Sequence, residues 1–385
     1  MKVLHLIRKN TQLKASFIQN QVKYHIDFIP FVVYCEHRES QFDGGFTDQT
    51  GLNVPVYCIA DNTTLLDRIV YKYFKILGRS HKRNLDTIVN NIQPDIIHLH
   101  YGTDAGVYLP ALKKIKIAKI VSFYGYDAYS FPKKYFGYGG FFLRKKVFSN
   151  ANKILAMSQE MQNDLIKACC PLESLIIHYH GVPIEKISDL SLEYIRKSDY
   201  RLTMISYLDP VKGHYFVLMA LKCLIDNGFK DFHLRIAGEG HYEKFLKQKS
   251  KELGLEDSVS FLGKVKYLSD EHLKLLFETD IYLHPSVCTK DDKEGIPGSL
   301  VEAMVAGLPV ISTFHGGIPF VIENQQTGLL VKELDVKGIA DAIMMLVGSC
   351  ELRRTLGLSG KEYAMKNMDV KRQEAELENI YKKLL

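Results

Sequence analysis

The feature that most constrains the fold is a regular alternation of short apolar runs with longer segments of helical pattern. A strand that is apolar on both faces is typical of a parallel sheet covered by helices, because both of its faces are buried. The first half of the chain therefore predicts a parallel α/β sheet. Its seven runs are VLHLI (3–7), FIPFVVYC (28–35), VPVYCIA (54–60), DIIHLH (95–100), AKIVSFY (118–124), KILAMS (153–158) and LIIHYHG (175–181).

The alternation pauses and then restarts. Residues 185–200 (EKISDLSLEYIRKSDY) are polar and lack a strong strand pattern, so we interpret 186–200 as a linker between domains. The later runs are RLTMISY (201–207), FHLRIAG (232–238), VSFLG (259–263), IYLHPS (281–286), PVIST (309–313) and GLLV (328–331). Helical patterns between them lie at 213–227, 241–253, 269–278, 298–306 and 335–348.

Two successive series of this kind predict two doubly wound Rossmann-like domains, at 1–185 and 201–368, that face a central cleft. Ligands bind such sheets outside the carboxyl ends of the strands, so the cleft is the expected site. The closing segment, 369–385, predicts an amphipathic helix that can pack on either domain, and we assign it to the N-terminal one.

The composition excludes several classes of protein. A chain of 385 residues that is 46% hydrophobic and 24% charged is typical of a folded soluble protein rather than a disordered or fibrous one. The first apolar run has five residues, too few for a signal peptide or a membrane span, so we expect a cytoplasmic protein. Seven cysteines without CxxC spacing indicate reduced thiols rather than a disulfide framework or a zinc site.

The start of the helical pattern at 298–306 has the composition of an anion site. Pro297 suits a first helical turn, and Gly298 lets a ligand approach the backbone. We expect free N–H groups on Gly298, Ser299 and Leu300, reinforced by the helix dipole. A phosphate is the predicted ligand.

Two carboxylates flank this helix start. Glu302 lies in an apolar helix, and a buried ionised carboxylate needs hydrogen-bond donors, which a vicinal diol such as a ribose supplies. Glu294, beyond the Gly/Pro turn, could accept hydrogen bonds from the hydroxyls of a sugar attached beyond the phosphates. Alternatively, Glu302 pairs with a lysine or arginine and Glu294 is a solvated member of KDDKE. Their position between the strand patterns IYLHPS and PVIST favours the ligand interpretation.

The stretch EGIPGSLVEAMVAGLPVISTFHGGIP resembles the E-x7-E signature of the retaining family 4 glycosyltransferases, which have the two-Rossmann GT-B architecture. The overall pattern is most similar to bacterial capsule, O-antigen and exopolysaccharide enzymes of the amylovoran and colanic acid type. The resemblance extends over DIIHLHYGTDAG, IVSFYGYDAYSFP, KILAMSQEMQNDL, LDPVKGHYFVLMAL, LRIAGEGHYEKFL and VSFLGKV.

The resemblance implies roles for individual residues. It assigns Glu302 to the ribose hydroxyls, Glu294 to hydroxyls of the transferred sugar, and Lys212 to the diphosphate leaving group. Asp127 would help to position the sugar or the acceptor. It further places Gly263 and Lys264 near the nucleotide base, and Gly316 and Gly317 where the backbone approaches the donor.

Three positions depart from the family pattern. Tyr124 stands where the family commonly has histidine, and a phenol donates a hydrogen bond but is no proton shuttle near neutral pH. Ser206 and Tyr207 replace a common Gly-Arg, so either Lys212 acts with the helix start or another arginine substitutes. Phe320 replaces a common glutamate.

His98 and His100 share one face of a predicted strand. We interpret them as packing or acceptor-binding residues, because a metal site would lack a clear third ligand. The chain also contains no Asp-x-Asp motif to hold a divalent cation between phosphates, so we predict metal-independent activity with no cofactor. Retention of anomeric configuration is implied by the resemblance alone.

The positive charge lies in the first half of the chain. Residues 1–185 carry 23 basic and 15 acidic residues, against 27 and 29 in the remainder. Residues 68–83 carry six Lys or Arg and no acid, and 131–148 carry five with seven Phe or Tyr. Cations beside aromatic rings suit an anionic membrane surface, where a lipid-diphosphate-linked acceptor would dock. The alternative is an ordinary solvated face over aromatic core residues. No nucleic-acid-binding motif accompanies the charge.

The sequence thus predicts a retaining glycosyltransferase that moves a sugar from a nucleotide diphosphate sugar to a lipid-linked glycan, peripherally on the cytoplasmic membrane face. A sugar-nucleotide epimerase or a sugar phosphorylase of the same architecture is one alternative. A non-catalytic scaffold is another, favoured by the departures at Tyr124, Ser206, Tyr207 and Phe320.

Overall fold

A computed structural model describes residues 1–36, 53–188, 199–290 and 292–385. The chain divides into an N-terminal unit, Met1–Gly181 with Val370–Leu385, and a C-terminal unit, Val182–Asp369. Most of the predicted linker, residues 189–198, lies outside the described residues.

The N-terminal unit contains a parallel sheet whose strands run in the order β3-β2-β1-β4-β5-β6-β7. The order reverses between β1 and β4, which pair with His5 opposite His98. This reversal is the point where ligands commonly bind in a doubly wound sheet. The strands are β1 (Lys2–Leu6), β2 (Ile29–Tyr34), β3 (Val56–Cys58), β4 (Ile96–His100), β5 (Ala118–Ser122), β6 (Lys153–Ala156) and β7 (Leu175–Ile177).

The central strands β1 and β4 are buried at successive residues, so both faces of the sheet are covered there, as the apolar runs predict. The α-helices are α1 (Ser16–Lys23), α2 (Leu65–Phe74), α3 (Arg79–Ile92), α4 (Gly102–Tyr108), α5 (Tyr126–Tyr129), α6 (Tyr138–Phe142) and α7 (Gln159–Lys167). Residues Leu143–Phe148 form a π-helix, and 3-10 helices lie at Asn10–Lys14, Phe131–Lys133 and Leu172–Ser174.

The C-terminal unit repeats the architecture with a parallel sheet in the order β10-β9-β8-β11-β12-β13. The strand order of this sheet reverses between β8 and β11. The strands are β8 (Tyr200–Ile205), β9 (Phe232–Ala237), β10 (Val259–Gly263), β11 (Ile281–His284), β12 (Val310–Thr313) and β13 (Leu329–Val331). The helices are α8 (Glu185–Ser188), α9 (His214–Asp226), α10 (Glu243–Glu252), α11 (Asp270–Phe277), α12 (Gly298–Val305), α13 (Ile318–Val321), α14 (Val336–Gly348) and α15 (Cys350–Asn367), with a 3-10 turn at Pro210–Lys212.

The structure confirms a strand at each of the predicted apolar runs, with ends that differ by up to four residues. The two doubly wound sheets of the predicted α/β fold are therefore confirmed. Helix α15 was not predicted from the sequence, because it packs largely through small residues rather than an apolar stripe. A Cβ on Gly357 would lie 2.2 Å from the Gly307 carbonyl oxygen, so the helix approaches its neighbour too closely for a larger side chain.

The closing helix, α16 (Val370–Lys382), packs on the N-terminal unit. Leu377 and Tyr381 are fully buried in one apolar cluster with Val3, Phe28 and Ile96. Within the described part of the chain, none of the helices combines the length and apolar character that crossing a membrane requires.

Candidate active site

Helix α12 begins and ends where its sequence places the boundaries. Pro297 precedes it in an extended conformation and provides no side-chain cap. Gly307 follows it with φ of 78°, in the left-handed region that glycine adopts without strain. The predicted helix start at the Gly/Pro turn is confirmed.

The first turn of α12 offers two backbone donors. The N–H of Leu300 donates to the Pro297 carbonyl at 3.2 Å, which corrects the prediction that this group is free. Among the described residues, we find no acceptor for the N–H groups of Gly298 and Ser299. A Cβ on Gly298 would meet only Glu302 Oε1, at 3.8 Å, so the space beside this turn is open.

Glu302 faces that space from inside the unit and is 3% exposed. Burial raises its pKa to about 7, which a hydrogen bond from Tyr267 partly opposes. His272 Nε2 lies 3.5 Å from Glu302 Oε2, and burial lowers the pKa of that imidazole to about 4. Across the described residues, the ion-pairing side chain beside Glu302 is His272, and no lysine or arginine pairs with it.

Glu294 and Lys212 form one ion pair, although the sequence suggested separate roles. Glu294 also accepts a hydrogen bond from Ser286 Oγ at 2.9 Å and lies 3.4 Å from His284 Nε2. Burial disfavours its charge, but Lys212 and His284 hold the pKa of Glu294 well below its usual value. Its side chain is 12% exposed, so the alternative of a solvated surface carboxylate is wrong.

A second set of contacts holds the Glu294 backbone. The N–H of Glu294 donates to His315 Nε2 at 3.0 Å, and His315 Nδ1 donates to Glu333 at 2.8 Å. Glu333 also accepts from the Cys288 N–H at 2.6 Å. These supporting residues were not predicted from the sequence, and neither were Ser286 and His284. The available signal was their position at or just beyond the carboxyl ends of β11, β12 and β13.

Gly316 and Gly317 lie against the loop that carries Glu294. A Cβ on Gly316, whose φ is 53°, would lie 2.1 Å from the Glu294 carbonyl oxygen. One on Gly317 would lie 2.7 Å from Ile296 Cγ1 and 2.8 Å from the Gly295 carbonyl oxygen. The two glycines therefore let their turn pack against the loop that carries Glu294. Their approach to the donor stays a prediction.

A cavity of about 200 Å³ opens at the carboxyl ends of β8 and β9, where the resemblance implies the nucleotide base. Gly263 has φ of 69°, and no atom outside the adjoining residues would lie within 4 Å of a Cβ there. Lys264 pairs with Glu239 at 3.2 Å at its rim. The lining residues are Ile205, Ser206, Tyr207, Ala237, Gly238, Glu239, Lys264 and Val265.

The departures from the family pattern occupy exposed or supporting positions. Tyr207 lines the cavity and is 56% exposed. Ser206 Oγ lies 3.1 Å from His214 Nε2. Phe320 is 42% exposed on α13.

In the N-terminal unit, Asp127 is fully buried beneath the loop after β5. Its carboxylate accepts from the N–H groups of Gly102 at 2.7 Å, Tyr124 at 3.0 Å and Gly125 at 3.1 Å. Burial raises its pKa to about 6 against the effect of these bonds. Asp127 therefore shapes the loop that carries Tyr124.

His98 and His100 are fully buried beside a third imidazole, His5. The sequence indicated no third ligand, and the structure corrects this, since the three side chains bring ring nitrogens within 4.8 Å of one another. Each ring nitrogen already has a protein partner, so the cluster is held by hydrogen bonds. The partners are His100 and His25 for His5, Tyr381 and Ser122 for His98, and His5 and Tyr124 for His100.

The two basic stretches converge on one groove of about 660 Å³ in the N-terminal unit. Residues 68–83 contribute Tyr73, Phe74, Lys75, Ile76, Leu77 and Lys82, and 131–148 contribute Phe131, Tyr135, Tyr138, Phe142 and Lys146. Tyr73 and Phe74 are each 70% exposed and Tyr135 is 73% exposed. Aromatic side chains at this surface thus project into solvent instead of packing in the core.

Two family models match the chain. Residues 49–186 match Glycosyltransferase Family 4, and residues 193–363 match Glycosyl transferases group 1. The putative colanic acid biosynthesis glycosyltransferase WcaL of Salmonella typhimurium is 31% identical over 88% of this chain and 89% of its own length. The amylovoran biosynthesis glycosyltransferase AmsK of Erwinia amylovora is also 31% identical, over 66% of this chain. This match spans 61% of the Erwinia protein.

Solved structures share the fold over the whole chain. Anabaena HepE, crystallised with UDP, superposes with a TM-score of 0.78 at 19% identity and covers 100% of both chains. Sucrose-phosphate synthase from Thermosynechococcus elongatus superposes with a TM-score of 0.76 at 14% identity, over 100% of this chain and 99% of its own.

Proposed function

This chain belongs to the family 4 glycosyltransferases, and from that premise we propose that it transfers a sugar from a nucleotide diphosphate sugar to a lipid-linked glycan. The relatives named for colanic acid and amylovoran support a place in exopolysaccharide biosynthesis. The UDP complex of the structural neighbour supports a nucleotide-linked donor.

The observation that carries the proposal is the Lys212–Glu294 pair in the same unit as the open start of α12. The N–H groups of Gly298 and Ser299 suit a phosphate, because a helix N-terminus attracts negative charge. The Glu302 carboxylate lies beside Gly298, which supports a role in accepting hydrogen bonds from a ribose diol. Together these groups suit a nucleotide diphosphate sugar.

We propose that the reaction proceeds on one face of the sugar. The bond from the anomeric carbon to the leaving phosphate oxygen breaks, and the acceptor oxygen bonds to that carbon on the same side, which retains its configuration. The acceptor proton passes to the departing phosphate. Lys212 and the α12 N–H groups stabilise the charge that accumulates on the diphosphate, and preorganised donors of this kind are effective in catalysis. Glu294, kept ionised by Lys212, accepts from hydroxyls of the transferred sugar.

The decisive experiment is a panel of nucleotide sugars, first for thermal stabilisation of the protein and then for nucleotide release with and without glycan acceptor. We expect one donor to stabilise the protein and its release to require the acceptor. Release without acceptor would instead indicate an epimerase or a phosphorylase. Failure of every donor to bind would favour the non-catalytic scaffold.

Turnover is expected to continue unchanged in the presence of a chelator, because a lysine and a helix start supply the positive charge that a metal would otherwise provide. The measurement is the initial rate with and without EDTA, using metal-free buffers and a donor from the panel. Loss of activity in EDTA that added Mg²⁺ or Mn²⁺ restores would overturn metal independence.

Nucleotide affinity is expected to rise with pH and to level off above about 7, the pKa of Glu302. A diol donates to the ionised carboxylate, so each pH unit below the pKa should weaken binding by up to about tenfold. Calorimetric titration with the nucleotide between pH 5.5 and 8.5 measures this slope. The Glu302→Gln variant should bind the nucleotide weakly, and its affinity should lack the pH dependence that Glu302 causes. A wild-type affinity that does not change with pH would contradict the assignment.

We further propose that the groove and its surroundings dock on an anionic membrane at its cytoplasmic face. A solvated face over core aromatics would leave the rings buried, but Phe136 is fully exposed and Tyr135 and Phe74 are largely so. Lys133 Nζ lies 3.6 Å from the Tyr129 ring centroid, which places cations beside aromatic side chains. On such a surface the lysines suit lipid phosphates, and the exposed rings suit the boundary with the acyl chains.

Binding to vesicles should therefore depend on both anionic lipid and exposed rings. The protein is expected to co-sediment with phosphatidylglycerol-containing vesicles, less at high salt, and weakly with phosphatidylcholine alone. Phe74→Ser combined with Phe136→Ser should reduce binding several-fold. Leu358→Ser, which removes a 56% exposed apolar side chain from α15, is the matched control. Equal binding by both variants would argue against the proposed surface.

A further inference from the structure

A continuous chain of buried polar side chains connects the closing helix to Tyr124. On α16, Glu374 Oε1 lies 2.9 Å and Glu378 Oε1 lies 3.1 Å from His25 Nδ1. His25 Nε2 lies 2.9 Å from His5 Nε2. The side chains of His25, Glu374 and Glu378 are at most 2% exposed, so water does not screen these contacts.

This chain of polar side chains continues through strands β1 and β4 to the loop after β5. His5 Nδ1 lies 2.9 Å from His100 Nε2, and His100 Nδ1 lies 2.6 Å from the Tyr124 hydroxyl. That hydroxyl donates to Gln21 Oε1 at 3.1 Å. Phe17 packs against the Tyr124 ring with centroids 4.5 Å apart, which limits movement of the phenol.

The end of this chain of polar side chains at His25 is charged. Burial lowers the pKa of His25, but Glu374 and Glu378 outweigh it and raise that pKa to about 9. His25 is therefore an imidazolium with protons on both ring nitrogens at neutral pH. Burial and neighbouring imidazoles hold the pKa values of His5 and His100 well below their usual value, so both rings are neutral.

Each protonation state then determines the next. His25 Nε2 donates, so His5 Nε2 must accept and the proton of His5 lies on Nδ1. His5 Nδ1 donates to His100 Nε2, which places the proton of His100 on Nδ1. His100 Nδ1 donates to the Tyr124 oxygen, and the Tyr124 O–H is left to donate onward.

We propose that Glu374 and Glu378 on the closing helix are positioning residues that impose this direction, making Tyr124 a dedicated hydrogen-bond donor. The hydrogen bond that the Tyr124 oxygen accepts from His100 polarises the phenol and strengthens the hydrogen bond that its O–H donates. A ligand at Tyr124 would present an oxygen acceptor, such as a hydroxyl or phosphate oxygen, in place of Gln21 Oε1. This last step rests on the proposed function, whereas the direction of the chain does not.

The groups that face His25 come from three elements. Closing helix α16 supplies Glu374, Glu378 and Tyr381, and strand β1 supplies His5. Strand β4 supplies His98 and His100, which interact electrostatically with His25. Glu374 and Glu378 are the carboxyl groups in this set. Burial raises the pKa of Glu374, whereas hydrogen bonds lower that of Glu378, and both groups favour the protonated form of His25.

The test is nitrogen-15 NMR of the imidazole rings in the full-length wild-type protein at pH 7.5. We expect His25 to be protonated at both nitrogens with a titration midpoint near 9, and His5 and His100 to be neutral with the proton on Nδ1. A neutral His25, or an Nε2–H proton on His5 or His100, would overturn the proposal. Because this measurement requires no turnover, it is independent of the proposed function.

Paired variants test the cause. Glu374→Gln with Glu378→Gln should lower the titration midpoint of His25 by more than one pH unit, whereas Glu376→Gln, an exposed partner of Arg372 on the same helix, should not. An unchanged midpoint in a folded double variant would refute the role of the carboxylates. If the double variant does not fold, the wild-type tautomers decide. In the transferase assay, Glu374→Gln should affect kcat or KM in the same sense as Tyr124→Phe.

Discussion

Replacing Lys212 by alanine is expected to lower kcat by roughly 100- to 1,000-fold, the usual effect of removing one preorganised donor to a developing negative charge. The same change leaves Glu294 buried without its cation, and breaking a buried pair from one side costs about 3–5 kcal/mol. We therefore expect lower activity and lower thermal stability together. The measurements are steady-state kinetics and a thermal melt of the same preparation.

Two further variants separate chemistry from folding. Lys212→Ala combined with Glu294→Gln removes the uncompensated charge, so stability should recover while activity stays low. Lys222→Ala, which removes an exposed lysine paired with Asp226 on α9, should change neither quantity. Recovery of turnover in the Lys212/Glu294 double variant would show that Lys212 acts only by neutralising Glu294.

Replacing Glu378 by alanine is expected to destabilise the N-terminal unit by about 3–5 kcal/mol, because a buried imidazolium would lose a partner. Glu378 also accepts from the backbone N–H groups of Ile26 at 2.7 Å, Asp27 at 2.9 Å and Phe28 at 3.3 Å. Urea unfolding measures the effect, with Glu376→Ala as the exposed control on the same helix. Equal midpoints for the two variants would contradict this expectation.

The same contacts predict how stability varies with pH. Backbone and His25 hydrogen bonds lower the pKa of Glu378 to about 2 despite burial, below the value of about 4.3 in an unfolded chain. Its contribution is therefore present above about pH 4.3 and is lost as the pH falls toward 2. The pKa of His25 is raised to about 9 from about 6.5, so its contribution is complete below about 6.5 and is lost as the pH rises through 9. We expect the Glu378→Ala variant to lose the part of this dependence between about pH 4.3 and 2, whereas the part due to His25, which Glu374 also supports, should remain.

The strands and the helix start at Gly298 could be predicted because their signals are local. An apolar run such as DIIHLH specifies a buried strand wherever it pairs, and Pro297 followed by an apolar helix specifies a helix start. Helix α15 escaped prediction because it packs closely through Gly357, which adds no apolar stripe.

The site required more than these local signals. Glu302 could be identified as an unusual charge in an apolar helix, but its partners, Tyr267 and His272, lie on other segments and carry no motif. The free N–H of Leu300 was predicted wrongly because the bond to Pro297 depends on the geometry of the first turn.

By itself, the sequence determined two doubly wound parallel sheets, a carboxylate pair around a helix start, and two basic aromatic stretches. The tertiary structure alone decided which side chains meet. Lys212 reaches Glu294 across 82 residues, and His25 reaches Glu378 across 353. Such contacts follow from strand order and from the return of α16 to the N-terminal unit, which bring distant segments to one place. Local periodicity reports which face of an element is buried, but not which element covers it.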